Sequence, residues 1–447
     1  MGRDRARETA FTVVDRVMRE GAYLHLLLRS SLQRSSLDEK GRAFVTELAT
    51  GTVRMLRRLD HALARFIDRP LDEVDPKLLN LLRTATYQIM EMQVPPYAAV
   101  NQTVDIAKRE LGKGPASFTN ATLRALADGW RDIEWPPTAQ AADHIGVVLS
   151  YPAWMASMLI EDFGDTRALS MAAAGNRRPP LTVRVNTLKR EPSEYLEHLH
   201  SRGWPAEAGA YSPEGITNLR LPAEALLAEW KAGNFAVQDE SSMLVSHILD
   251  PQPGERIVDA CAAPGGKATH LAQLCRDDAE ILAFDSQERR LGAMREMVVN
   301  MGIKSVRCVQ GDSRRLPELL DGKADRILVD APCSGLGTLR RRPDIKWKRR
   351  PEDIEDMAAA QDQLMEAAAE ALRPGGVLVY SVCTITRKET VERLERFLDE
   401  HKEFAPEAPG PFCPMGPPLP QEREDSLQTY TDLHGLDGMF ICRLRKS

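Results

Sequence analysis

The chain has 447 residues, 43% of them hydrophobic and 28% charged, with a net charge of −6 at neutral pH. That length allows two to four domains of a soluble globular protein. The acidic balance excludes wholesale electrostatic binding to nucleic acid, so any RNA contact has to come from local patches. The seven cysteines include no Cys-x-x-Cys pair and no Cys/His cluster, which argues against a disulfide framework or a structural metal and fits a reducing, cytoplasmic setting. Charges from Arg3 to Glu8 leave no room for a signal peptide's apolar core. The longest uncharged run, Ile145 to Ile160, is shorter than a membrane span and contains Pro152. No metal and no membrane are expected among the partners.

Residues 1–135 predict an all-α domain. Apolar residues recur at helical spacing in Ala10–Val17, Phe44–Ala49 and Leu78–Met90. Pro95-Pro96 breaks the pattern, which resumes at Val100-Val104-Ala107, and a glycine break at 112–114 precedes a last helix over Asn120–Leu126. Arg3, Arg5, Arg7, Arg54, Arg57 and Arg58 read first as a solvated helix face. Trp135-Pro136-Pro137 marks a boundary. Residues 136–234 then predict linker helices, including one over Pro152–Phe163, and a small α+β module with strands at Leu181–Asn186 and Leu219–Leu221 and a helix over Ser193–Leu199.

From 235 to 447 the pattern alternates strand and helix. Strands are expected at Ile257-Val258, Ile281–Phe284, Val306–Val309, Arg326–Val329 and, after a Pro374-Gly375-Gly376 turn, Val377–Tyr380. Such alternation predicts a mainly parallel, doubly wound α/β sheet. Met439–Leu444 predicts a late antiparallel strand, and Pro406–Pro420 a loop.

Chemistry gathers at the ends of these strands. The first runs through Asp259 into Ala262-Ala263-Pro264-Gly265-Gly266-Lys267, a small-residue loop that opens a helix. Paired glycines let backbone approach a ligand closely, and the loop after the first strand of an open α/β sheet is where a nucleotide-like cofactor sits. It is neither a dinucleotide fingerprint nor a phosphate loop, because the glycine spacing of both is absent. Asp259, Asp285, Asp312 and Asp330 each close a strand; an acid after the second strand suits ribose hydroxyls, which points to Asp285. Cys333, in Asp330-Ala331-Pro332-Cys333-Ser334-Gly335, and Cys383, in Tyr380-Ser381-Val382-Cys383-Thr384, both leave strands at that same edge. A lone cysteine is usually a small buried apolar residue; two beside a cofactor loop read as a thiol pair with separate tasks.

These motifs, with Arg342-Pro343-Asp344-Ile345-Lys346-Trp347 and Leu436–Phe440, resemble the Sun family of RNA cytosine-5 methyltransferases, RsmB/Fmu type. The resemblance covers about 235–447. Ala98–Val104 and Phe118–Arg124 resemble the NusB-like RNA-binding domain of the same type, and the middle module resembles the family's RRM-like unit. The resemblance implies a Rossmann-like catalytic domain, S-adenosyl-L-methionine as cofactor and small-subunit ribosomal RNA as partner. It implies that the loop 262–267 holds the cofactor's methionine end, Asp285 its ribose and Asp312 its adenine, with Asp330 at the same site. It further implies that Cys383 attacks the base and that Cys333 assists product release. A thiol is needed because carbon 5 of cytosine is a poor nucleophile until carbon 6 carries an adduct. Asp330 is placed to hydrogen-bond the ring during addition. The run from Thr338 to Arg350, with Arg340, Arg341, Arg342, Lys346 and a stacking Trp347, is expected to contact RNA phosphates. The rivals are the same chemistry on transfer RNA and a non-catalytic RNA-binding or assembly protein; the intact loop, acids and cysteines argue against the latter.

Overall fold

The computed structural model describes residues 4–416, 419 and 423–447; Arg3, and Pro417, Pro418 and Pro420 of the expected proline-rich loop, lie outside the described residues. The chain forms two compact units, one from 1–177 with 339–349, the other from 178–338 with 350–447.

The first unit is helical: Arg5–Glu20, Leu24–Gln33, Glu39–Arg54, Leu56–Leu63, Pro76–Met90, Pro96–Glu110, Lys113–Gly129 and Ala153–Gly175 are its main helices. Aspartates start three of them. Asp4, Asp38 and Asp75 accept from the amides of Arg7, Gly41 and Leu78, satisfying N–H groups that have no partner inside the helix. Gly51 lets the helix Glu39–Arg54 press against Tyr87 of Pro76–Met90: a Cβ there would lie 1.9 Å from the tyrosine ring. The helix expected from Asn120 begins at Lys113, just after Gly112 with its φ of 101°. The helix expected to end at Phe163 continues to Gly175 through a kink at Gly164, φ 73°.

The second unit holds two sheets. The small one comprises β1 (Val183–Val185), β2 (Glu207–Ala208), β3 (Gly215–Thr217) and β4 (Phe235–Val237), all antiparallel in the order β2-β3-β1-β4. The strand expected at Leu219–Leu221 lies instead at β3. Asn218, at φ 52°, ends it, and Leu219 donates only one isolated backbone bond, to Leu181.

The large sheet contains β5 (Arg256–Asp259), β6 (Glu280–Asp285), β7 (Val306–Gln310), β8 (Ala324–Asp330), β9 (Leu372–Val382), β10 (Phe404–Glu407), β11 (Ser426–Gln428) and β12 (Phe440–Lys446). Its order is β10-β12-β9-β8-β5-β6-β7, with β11 on β12. Neighbours from β7 to β9 are parallel, while β12 runs antiparallel to β9. Pro374-Gly375-Gly376 is not a turn before β9 but a bulge within it, opposite the register break between Ala324 and Arg326. Both faces are buried. Ile257, Ile281, Ala283, Leu328 and Val379 pack into one core, and Val258, Leu282, Phe284, Ile327 and Tyr380 into the other. This is the period-two pattern of a sheet covered on both sides. The chain passes from β5 out to β7, then crosses to β8 on the other flank of β5. The crevice at that switch point, beyond the carboxyl ends of the strands, is where such folds bind ligands.

Candidate active site

The switch point is lined by the loop that follows β5. Gly265 has a φ of 104°, and a Cβ there would meet the Met294 side chain at 2.8 Å, so the turn requires glycine. The helix Gly266–Leu274 begins directly after it. Arg290 donates to the Ala263 carbonyl at 2.6 Å and pairs with Asp285 at 3.1 Å, tying the loop to the end of β6. From the small sheet, the fully buried Arg184 donates to the Gly266 carbonyl at 3.1 Å and to the Thr269 hydroxyl at 2.8 Å.

Asp259, Asp285 and Asp330 are the last residues of β5, β6 and β8, whereas Asp312 lies two residues beyond β7. Asp259 is fully buried, and its carboxylate oxygens have no hydrogen-bond partner among the described residues. Burial, then repulsion from Asp330 and Asp285, pushes its carboxyl up to about 7 against the pull of Lys267. Asp285 is buried and accepts from the Gln287 amide at 2.8 Å. Asp312 is bound by its neighbour Arg314, whose hydrogen bonds hold the carboxyl below its ordinary value.

β8 and β9 are adjacent and parallel, so the residues leaving their carboxyl ends meet. The Cys333 and Cys383 sulfurs lie 3.3 Å apart, and neither cysteine is in a disulfide. Asp330 accepts from Lys267 at 2.7 Å and from the Ser381 hydroxyl at 2.9 Å. Burial pushes the Lys267 ammonium down, but its pair with Asp330, helped by the charges of Cys383 and Asp259, carries it above its ordinary value. Cys333 sits in the opposite field. Its hydrogen bond to Cys383, then burial, then the charges of Cys383, Glu389 and Asp330 hold its thiol well above its ordinary value. The loop 262–267, Asp285, Asp330, Cys333 and Cys383 thus belong to one sheet edge. Sequence reasoning noticed Asp259 as a strand end without giving it a task. It missed Arg184, Arg290 and the buried Glu389, which no local motif distinguishes from ordinary charged residues.

The basic run needs correcting. Residues 339–349 belong to the helical unit, and much of the run is interior. Lys346 is fully buried, donating to the Ser150 carbonyl at 3.1 Å and to Asn176 at 2.7 Å, with its ammonium 3.6 Å from the Tyr151 ring centre. Burial drives that ammonium well below its ordinary value. Trp347 is half-buried against the N-terminal core and donates to the Val53 carbonyl at 2.6 Å, so its indole is not presented for stacking. Arg340 is buried, Arg341 is half-buried, and Arg342 is exposed. Lys346, Trp347 and Arg340 therefore pack the helical unit, because each finds partners that a local charge pattern cannot reveal.

Among the described residues, metal-ligating side chains gather at Glu214, His247 and His270, whose ligand atoms lie within 4.8 Å of one another. Glu214 accepts from His247 at 2.8 Å and also contacts His270. Burial holds His270 down at about 3, hence neutral. No helix among the described residues is long and apolar enough to cross a membrane.

Comparison with known proteins agrees with this architecture. Residues 246–445 match the family model of the 16S rRNA methyltransferase RsmB/F, residues 4–128 match the NusB family, and residues 151–222 match the ferredoxin-like domain of RsmF/B-like methyltransferases. The probable ribosomal RNA small subunit methyltransferase B of Bacillus subtilis is 32% identical over 457 aligned residues, covering 100% of both chains. The solved structure of PH0851 is 25% identical with a TM-score of 0.82 and covers 98% of each chain. NSun6 from Pyrococcus horikoshii, solved with SFG, is 26% identical with a TM-score of 0.60, covering 67% of this chain and 99% of its own. The cofactor is S-adenosylmethionine, a cation at its sulfonium and amino groups, and the donor set fits it: a buried acid without a partner at Asp259 and a second buried acid at Asp285 border the glycine loop. The full-length relative and the three matched domains, in the order in which the fold presents them, show that the chain belongs to the RsmB/F family of S-adenosylmethionine-dependent methyltransferases.

Proposed function

We propose that this chain methylates carbon 5 of a cytosine in small-subunit ribosomal RNA through a covalent cysteine adduct. The observation that carries the reading is the pair of cysteine thiols 3.3 Å apart, with the Lys267–Asp330 ion pair at the same carboxyl edge of the sheet. The name of the Bacillus subtilis relative supports the ribosomal substrate. In this reading the loop 262–267 and Asp259 hold the methionine end of the cofactor, Asp285 its ribose and Asp312 its adenine.

S-adenosylmethionine supplies an electrophilic methyl group. The Cys383 thiolate adds to carbon 6 of the cytosine, and the resulting enamine makes carbon 5 nucleophilic. The attraction that keeps Lys267 charged is mutual, so its ammonium favours the Cys383 thiolate. Asp330 accepts from the base's amino group and orients the ring. Once carbon 5 is methylated, a water molecule takes its proton, the electron pair of that C–H bond restores the ring double bond, and the bond between carbon 6 and sulfur breaks to release the Cys383 thiolate. Cys333, protonated and in contact with the departing sulfur, assists that elimination. The target base must be unpaired or flipped out to reach these groups.

Bisulfite sequencing of small-subunit RNA tests the reading. One cytosine loses protection when the gene is deleted and regains it when purified protein and cofactor are added. Full protection in the deletion strain would overturn it.

A further inference from the structure

The buried polar groups behind the two thiols converge on one carboxylate. Glu389 is fully buried and forms no ion pair with a basic side chain among the described residues. One of its oxygens accepts from the Ser334 amide at 2.7 Å and from the Gln361 side chain at 3.1 Å. The other accepts from the hydroxyls of Thr386 at 2.8 Å and Thr384 at 3.3 Å. Ser334 follows Cys333 and Thr384 follows Cys383, and the hydroxyls of these two also share a hydrogen bond, 2.7 Å long. Gln361 donates to the Pro332 carbonyl at 3.0 Å, and Tyr380 donates to both Gln361 and the Glu389 carbonyl.

We propose that Glu389 is the positioning residue of the thiol pair, its two carboxylate oxygens each holding one cysteine-bearing loop so that the sulfurs meet. The inference rests on the covalent reading above for its purpose, but not for its geometry. The two loops are separated by some fifty residues of chain, and a carboxylate accepting from both is a rigid bridge between them. A buried charge stabilised only by N–H and O–H donors is costly to place, which fits a group kept for position. Its charge also divides the labour. It adds to the bond to Cys383 and the burial that hold the Cys333 thiol up, while the Lys267 ammonium and the Cys383 sulfur attract one another.

Two variants of the full-length protein test this without RNA. Diamide, a two-electron oxidant, takes two hydrogens from adjacent thiols and leaves a disulfide; its rate measures how well Cys333 and Cys383 are held together. Iodoacetamide labelling of each cysteine, followed by peptide mass spectrometry across a pH series, reports their ionisation. Glu389→Gln keeps the shape and removes the charge; its amide oxygen can still accept from Ser334 and Gln361, and its NH2 can donate to the Thr384 and Thr386 hydroxyls, which are able to accept. It is expected to form the disulfide at the wild-type rate, with Cys333 labelling displaced to lower pH and several-fold faster at neutral pH. Glu389→Ala is expected to slow disulfide formation at least tenfold while cofactor affinity by calorimetry is retained. An unmoved Cys333 profile in Glu389→Gln, or a wild-type disulfide rate in a Glu389→Ala protein that binds cofactor, overturns the proposal. If Glu389→Ala does not fold, the Glu389→Gln profile decides alone. Adduct formation on RNA containing 5-fluorocytosine, run on the wild type, separately tests the covalent reading.

Discussion

Arg184, on the small sheet, donates across 3.1 Å to the carbonyl of Gly266, the residue that opens the cofactor-loop helix. A module outside the large sheet thereby fixes the backbone of the loop that follows β5. Arg184→Met is expected to lower stability by about 1–3 kcal/mol, the cost of leaving a buried acceptor without its donor, here the Gly266 carbonyl. It should also weaken S-adenosylmethionine binding roughly tenfold. Thermal unfolding and calorimetry check both.

Asp259 supplies a pH dependence. Its folded carboxyl titrates at about 7, far above the unfolded value. The folded state therefore holds a proton that the unfolded state has lost, and the associated stability is full below about pH 4 and disappears as pH rises through about 7. Asp259→Asn should remove this slope and leave the cofactor-free protein more stable than wild type at pH 8, by several kcal/mol at most. Cofactor binding at pH 7 should release about half a proton in wild type and none in the variant, measured by calorimetry in buffers of different ionisation enthalpy.

The two cysteines should separate cleanly. Cys383→Ala is expected to abolish methylation and every RNA adduct. Cys333→Ala should still add to the base and transfer the methyl group but stall at elimination, accumulating as a covalent protein–RNA band on denaturing electrophoresis. An adduct with Cys383→Ala and none with Cys333→Ala would reverse the assigned roles. Normal methylation without adduct in both would remove the covalent route.

The meeting of these thiols was largely legible in the sequence. Ile281–Phe284, Arg326–Val329 and Val377–Tyr380 are apolar runs bounded by polar turns, and parallel alternation places Cys333 and Cys383 at one edge. The small sheet was harder to read because its strands are only two or three residues long, too short for periodicity to register. Leu219–Leu221 mimicked a strand that Asn218 had already ended. The basic run was misread for a different reason. Charge density along a sequence is a local quantity, whereas the burial of Lys346 depends on Ser150 and Asn176, far away in the chain. Glu389 was invisible because its donors come from three separate segments.

That correction yields a contrast. Arg342 is exposed, so Arg342→Ala is expected to weaken RNA binding and lower its salt slope by about one without changing melting temperature. Lys346→Ala should do the reverse, lowering the melting temperature of the helical unit through a vacated interior site, with the salt slope intact. Fluorescence anisotropy over a salt series and differential scanning calorimetry distinguish the two.

Because residues 339–349 complete the helical unit, that unit cannot finish folding when its first 177 residues leave the ribosome. Its last piece is synthesised roughly 170 residues later, a delay of about ten to thirty seconds at ordinary translation rates. Until then the side chains that receive Ile345, Lys346 and Trp347 stay open, and the nascent helices are exposed to chaperones and proteases. A ribosome pausing within the stretch between β5 and β8 would lengthen that exposure, so synonymous codon changes there are capable of altering yield without altering a single residue.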